Sequence, residues 1–302
     1  MIVVCGEALI DRIPGHLGGT DSPGGGPFTT ARAVARLGIP VQFLGHLSRD
    51  AFGQQLRDLL GADGVDLALT SFGPEPTTLA IAEVNAAGHA AYRFVSDGSS
   101  APNLTSRMVP RSFGPDVNAL HVGTLGLVFE PIASTIAALV EREHNQRLVM
   151  VDPNIRPTVA NRAAHYRARL DRIIAQSTIV KASDADIDWL FPGIDRMAAA
   201  RTLLARGPKL VIVTLGADGA IGMTATAEIR VPAPVVQVVD TIGAGDAFGA
   251  ALLAWLHDHG RLSHDLHLVP DDLRAALEFA CLVASITCTR AGANPPRRSE
   301  LP

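Results

Sequence analysis

Aromatic residues are scarce, at 5% of 302 residues. A surface that recognises bases by stacking them between aromatic rings has little material here. Positive charge is not in excess either. Lys and Arg number 26 against 30 Asp and Glu, a net charge of −4, and a phosphate-backbone binder needs the opposite balance. The three cysteines, Cys5, Cys281 and Cys288, are odd in number and widely spaced. They form neither a disulfide framework nor a zinc pattern and fit a reducing, cytoplasmic setting. Cys281 and Cys288 sit in apolar sequence and read as core. No apolar run is long enough to span a bilayer. The opening Ile2-Val3-Val4-Cys5, with Glu7 and Asp11 close behind, has neither the basic start nor the longer apolar run of a signal peptide. No Walker-type Gly-Lys-Ser/Thr motif occurs. Neither nucleic acid nor membrane is expected as a partner.

Apolar residues, by contrast, make up 47% of the chain, with 28 glycines and 20 prolines. That suffices for one large α/β domain over residues 1–302, with a small appendage. Strand-like runs at Ile2–Cys5, Val41–Gly45, Ala119–Thr124, Leu148–Val151, Ile179–Lys181 and Leu210–Thr214 alternate with helical patterns. The spacing predicts helices over 28–37, 51–60 (capped by Asp50), 132–143, 247–256 and 271–289. Such alternation implies a mostly parallel sheet. Thr77–Val84 and Ala90–Val95 flank Asn85-Ala86-Ala87-Gly88 as a β-hairpin. His121, between apolar neighbours, reads as a core histidine, and Arg297–Pro302 as a frayed end.

The most informative stretch is Asp240-Thr241-Ile242-Gly243-Ala244-Gly245-Asp246-Ala247-Phe248. Val235–Val239 before it reads as a buried strand and the residues after it as a buried helix. A glycine turn at a helix start leaves N–H groups and the positive end of the dipole facing an anion. Asp246 there serves equally well as a general base or as a helix cap. Asp11 lies just past the first strand, where open α/β sheets bind ligands, and reads as a sugar-hydroxyl acceptor or as a loop carboxylate facing water. Gly24-Gly25-Gly26 exposes backbone amides before a helix that Pro27 starts. Asp152, Asn154 and Arg156 follow a buried strand, the Arg with a planar fork suited to substrate oxygens, while Asp152 also suits a turn. Ser183 or Asp184 fits a helix cap.

Asp240–Asp246 resembles the carboxy-terminal signature of the PfkB, ribokinase-like, family of sugar and nucleoside kinases. Gly6-Glu7-Ala8-Leu9-Ile10-Asp11, the Pro23–Pro27 glycine loop, Asp152-Pro153-Asn154-Ile155-Arg156 and Leu215-Gly216-Ala217-Asp218-Gly219 are similar to further family segments, so the resemblance spans nearly the whole chain and is nearest to fructokinases. It implies a three-layer sandwich with a mostly parallel central sheet and a small β lid from about 11–23 and 75–98. It implies ATP-dependent phosphorylation of a sugar hydroxyl, most closely of fructose, with Asp246 as base and Gly243, Ala244 and Gly245 as the anion hole. Asp11, Gly25, Gly26, Thr29, Arg93 and Arg156 fall on the sugar side. Lys181, Ser183, Thr214, Gly216, Gly219 and Asn294 fall on the nucleotide side. Mg²⁺ would ride mainly on the phosphates and meet Asp186 through water, because Ser183 and Asp186 are shorter than the family's Asn and Glu. K⁺ near the 240–246 turn and a homodimer through the lid belong to the same resemblance. Thr29 departs from it, since the family places Asn there and a hydroxyl cannot reproduce an amide's two-ended hydrogen bonding. A 2-keto-3-deoxygluconate kinase, with Arg93 and Arg156 on the substrate carboxylate, is the rival within the class. A nucleoside kinase is disfavoured by the few aromatics. A non-catalytic sugar or nucleotide sensor on the same fold is the rival outside it, against which the retained Asp246 speaks.

Overall fold

The computed structural model describes residues 1–13, 20–84, 90–161 and 165–302. Gly18 and Gly19 and the hairpin turn 85–88, on which part of the lid expectation rests, lie outside the described residues. The main sheet has eight strands in the order Glu228–Val231, Ala220–Met223, Leu210–Thr214, Ile179–Ser183, Leu148–Asp152, Ala119–Gly123, Ile2–Cys5 and Val41–Leu44. The six from Leu210–Thr214 onward run parallel, and the first two are an antiparallel edge.

The parallel strands are apolar along their length because both faces are covered. In Ile2–Cys5 alternate residues serve different layers. Ile2 and Val4 pack with the helices Gly26–Arg36, Ala51–Asp63, Ala244–Asp258 and Pro270–Cys288. Val3 and Cys5 pack with Ile132–Glu143, Tyr166–Gln176, Asp184–Leu190 and Arg196–Leu204. The expected three layers are therefore present. Ala51–Asp63 begins as expected, with Asp50 accepting the Gly53 N–H at 2.7 Å. It runs three residues past the expected end and closes on Gly64 at φ +92°, a left-handed position suited to glycine.

A second sheet of four strands, Thr20–Gly24, Leu9–Ile13, Leu79–Val84 and Ala90–Val95, stands at the end of the first. Its last two strands pair antiparallel as the expected hairpin. Asp50 ties this sheet to the main body by also accepting the Thr77 N–H at 2.7 Å and the Thr77 hydroxyl at 2.6 Å.

Three expectations fail. Val235–Val239 is not a strand: it has no regular structure, and Val235, Val238 and Val239 are exposed. β-Branching favours extended backbone but does not bury it, and Pro232 and Pro234 remove the N–H donors a further sheet strand would need. The helix after the signature starts at Ala244 rather than Ala247, with Gly243 as its N-cap and no side-chain cap bond. Asp246 therefore lies inside the first turn and is not the cap. The chain end is pinned rather than frayed. Arg297 reaches Asp63 at 2.9 Å, Arg298 reaches Asp258 at 2.6 Å, and Glu300 accepts from Arg290 at 2.8 Å.

Candidate active site

A cavity of about 690 Å³ opens at the carboxyl ends of the parallel strands and is bounded by the second sheet. Much of the lining comes from residues at or just past a strand end or at a helix start. Glu7 follows Ile2–Cys5. Asp152, Asn154 and Arg156 end or follow Leu148–Asp152. Lys181, Ser183 and Asp186 end or follow Ile179–Ser183, and Thr214, Gly216 and Gly219 end or follow Leu210–Thr214. The starts of the helices Gly26–Arg36 and Ala244–Asp258 bring Gly25, Gly26 and Thr29 together with Gly243, Ala244, Gly245 and Asp246. Asp11, from the second sheet, faces the same space.

Close backbone approach explains two glycines here. At Gly243, φ is +78° and a Cβ would lie 2.8 Å from Ala293 Cβ and 3.2 Å from Thr29 Cγ2. At Gly26 a Cβ would lie 2.5 Å from Thr124 Cγ2 and 3.1 Å from Asp246 Oδ1. The two helix starts thus meet at Asp246. No side chain caps the Ala244–Asp258 helix, so its dipole and the Gly245 and Asp246 N–H groups are available to an anion, while the Ala244 N–H donates to the Thr241 carbonyl at 3.3 Å.

The electrostatics centre on one buried pair. Lys181 Nζ donates to Asp152 Oδ2 at 2.5 Å with both side chains buried. Burial alone would pull the Lys181 ammonium down; the Asp152 carboxylate more than offsets this and holds it above its ordinary value. A Cβ at Gly245 would lie 3.2 Å from the Lys181 ammonium, so this positive charge sits under the glycine turn. The Asp246 carboxyl is pushed up to about 7, first by burial and then by Asp152, with Lys181 and Arg156 pulling it down and Glu7 adding to the rise. A carboxylate poised near neutrality suits proton abstraction. Asp11 is pushed up to about 6 by burial, against Arg156.

Glu7 is a site residue that sequence reasoning missed. It is 2% exposed, and its carboxylate accepts from the Thr124 hydroxyl and, at 2.9 Å, from the Gly126 N–H. A lone acid between a buried strand and Ala8-Leu9-Ile10 was the available signal. Asp186 lines the cavity, but its oxygens are engaged by the Ile155 N–H at 2.6 Å, the Ser183 N–H at 2.8 Å and the Ser183 hydroxyl at 2.7 Å. Ser183 and Asp186 form a capping box. His121 is buried but not fully satisfied, since its Nδ1 has no partner. Burial, with Lys181 adding, lowers it to about 3, so it stays neutral.

Two expected site residues are corrected. Arg93 is exposed and does not line the cavity. Side chains alternate along Ala90–Val95, so its neighbours Tyr92 and Phe94 face inward, stacked with centroids 6.4 Å apart. The Asn294 side chain is taken by Arg36, whose Nη1 donates to Oδ1 at 2.6 Å, and Ala293 lines the cavity instead. The far wall also departs from expectation. It uses the exposed Val235 and Val238 with the half-buried Val236, and the helix Pro270–Cys288 presents Cys281, Ser285 and Cys288 at one-face spacing. Among the described residues no group of three or more His, Cys, Asp and Glu side chains could hold a metal ion, and no helix is long and apolar enough to cross a membrane.

The sequence pattern of the pfkB family carbohydrate kinases matches residues 1–300. A fructokinase of Rhizobium leguminosarum bv. trifolii is 41% identical over 262 residues, covering 85% of this chain and 79% of the relative. Among solved structures, a fructokinase from Xylella fastidiosa with bound ATP superposes with a TM-score of 0.87 at 27% identity, covering 100% of this chain and 94% of the other. A fructokinase from Vibrio cholerae O395, bound to fructose, ADP and calcium ion, gives a TM-score of 0.85 at 27% identity, covering 97% and 94%. A double mutant of the latter was seen with potassium ion. The architecture is ribokinase-like, as the resemblance implied.

Proposed function

Because the chain belongs to the pfkB family of carbohydrate kinases and is an ATP-dependent sugar kinase, we propose that fructose is its acceptor and Asp246 its general base. The observation that carries this reading is the position of Asp246. It stands in the first turn of an uncapped helix, beside Gly26 and in one cavity with Asp11, with a carboxyl poised near neutrality. The fructose-bound and ATP-bound relatives support the choice of sugar and nucleotide.

In this reading Asp11 and the Gly25–Gly26 backbone hold the sugar, with Thr29 behind them and Arg156 at the rim. Asp246 takes the hydroxyl proton as the sugar oxygen attacks the γ-phosphorus. The bond from that phosphorus to the β,γ-bridging oxygen breaks, and ADP leaves. Charge developing on the phosphoryl oxygens meets the first-turn amides, the helix dipole and the Lys181 ammonium. The nucleotide lies along Thr214, Gly216, Gly219 and the exposed valines, whose apolar surface suits a purine ring. Mg²⁺ fits this donor set only loosely. The Asp186 oxygens are already engaged, and the unpartnered buried oxygen is Asp152 Oδ1. Asp186 would hold the ion through water, with the phosphates as its main ligands, and the ion would neutralise phosphate charge. A potassium ion beside the 240–246 turn belongs to the same reading. The second sheet acts as the lid and as a dimer contact, limiting ATP hydrolysis in the absence of sugar.

The outward Arg93 removes one of the two cations that a 2-keto-3-deoxygluconate carboxylate would meet, which favours a neutral sugar. ADP release with ATP, Mg²⁺ and K⁺ across fructose, ribose, glucose and 2-keto-3-deoxygluconate tests the assignment. Fructose is expected to give the highest kcat/KM. A higher value for another sugar would replace it, and calorimetric sugar binding without turnover would favour the sensor.

A further inference from the structure

Glu7 takes part in no step above, yet it is a buried carboxylate within the site, and its contacts lead through Thr124 and Gly26 to the base. Its carboxylate accepts from the Thr124 hydroxyl and from the Gly126 N–H. Thr124 is β-branched and sits at φ +51°. A β-branched residue in the left-handed region is a backbone outlier that the surroundings must hold in place. The groups holding it are the Glu7 carboxylate below and the Gly26 backbone above. Thr124 Cγ2 lies 2.5 Å, and its hydroxyl 3.2 Å, from where a Gly26 Cβ would be, and Asp246 Oδ1 is 3.1 Å from the same point. The chain of contact is therefore Glu7, Thr124, Gly26, Asp246.

We propose that Glu7 is a positioning residue. Acting through Thr124, it holds the Gly26 backbone against Asp246 and so fixes where the base stands relative to the sugar hydroxyl. The inference rests on the reading of Asp246 as base. Strain at Thr124 has a reason in this scheme: in the left-handed conformation its methyl and hydroxyl abut Gly26, where no Cβ intervenes. Glu7 also acts by charge. The charged groups facing Asp246 are Asp152, Lys181, Arg156 and Glu7, and Glu7 opposes ionisation of the base.

Glu7→Gln keeps the shape but turns an amide toward the Gly126 N–H or the Thr124 hydroxyl. Its kcat is expected to fall about 10–100-fold, the scale of an angstrom-sized misplacement, with KM for ATP nearly unchanged. The acid limb of the pH–rate profile should move to lower pH, because a negative neighbour of Asp246 is gone. Thr124→Val removes the hydroxyl at constant shape and should reproduce the loss in kcat, whereas Thr124→Ser should retain most activity. A role in folding alone would lower the melting temperature and leave kcat and the limb of the folded enzyme in place; that result overturns the proposal. If Glu7→Gln fails to fold, the Thr124 pair decides: equal kcat for Val and Ser also overturns it. Asp246→Asn separates the two claims. An active Asp246→Asn enzyme removes the base itself, while an inactive one beside fully active Glu7→Gln and Thr124→Val variants removes only the role of Glu7.

Discussion

Asp246→Asn is expected to lose about 10²–10⁴-fold in kcat, the usual contribution of a positioned general base. The substitution keeps shape and hydrogen-bonding reach in the first turn of Ala244–Asp258 but leaves no group able to take the proton. It is not expected to destabilise the fold. The carboxyl is held up to about 7, well above its ordinary value of 3.8, by burial first and then by Asp152. Above that pH the folded state carries a carboxylate it disfavours, and the amide removes that cost. The melting temperature at pH 8 should therefore stay level or rise, as happens when a strained functional group is replaced. Thermal scans with and without ATP, beside ADP-release assays, separate lost chemistry from lost binding. Unchanged turnover would remove Asp246 from the mechanism.

Lys181→Met should give the largest loss of stability. The ammonium is the 2.5 Å partner of a carboxylate that is itself 2% exposed. Removing it leaves Asp152 buried, charged and with neither oxygen paired in this way, a situation that costs about 3–5 kcal/mol. Urea unfolding measures this, and a loss below about 1 kcal/mol would show that the pair is solvated and not the buried bridge described. Activity should fall as well, since a positive charge under Gly245 is gone. Lys181 pulls Asp246 down, so without it the base ionises at higher pH and the acid limb moves up. Pairing Lys181→Met with Asp152→Leu should recover much of the stability, because both charges are then absent. It should not recover turnover.

The layers were legible because a strand covered on both faces reads as an uninterrupted apolar run, as in Ile2–Cys5 and Leu210–Thr214, and because helix starts carry clear caps such as Asp50. Most expected site residues share one cavity for a related reason: polar residues directly past buried strands, Asp152, Arg156 and Ser183 among them, collect at one end of a parallel sheet. The failures are failures of orientation and partner. The sequence around Val235 specifies extended backbone, but exposure depends on what lies beside it, and here that is the cavity. Arg93 and Tyr92 are adjacent in sequence and opposite in space, so a one-residue difference in strand register decides which enters the site. Asn294 is claimed by Arg36, 258 positions away, and Arg297 by Asp63, 234 positions away; local pattern cannot reveal such pairs. Glu7 was overlooked because its significance depends on Thr124, 117 residues downstream.

The most direct test of the account is the pH dependence of kcat/KM for fructose in the wild-type enzyme and in Asp11→Asn. A base must be deprotonated to accept the hydroxyl proton, so activity should rise with pH through a limb near pH 7, where the Asp246 carboxyl titrates. Asp11, which titrates at about 6, contributes to the wild-type limb from below, and in Asp11→Asn the limb near 7 should persist alone. Profiles flat from about pH 5 to 9 in both enzymes would contradict Asp246 as the proton acceptor.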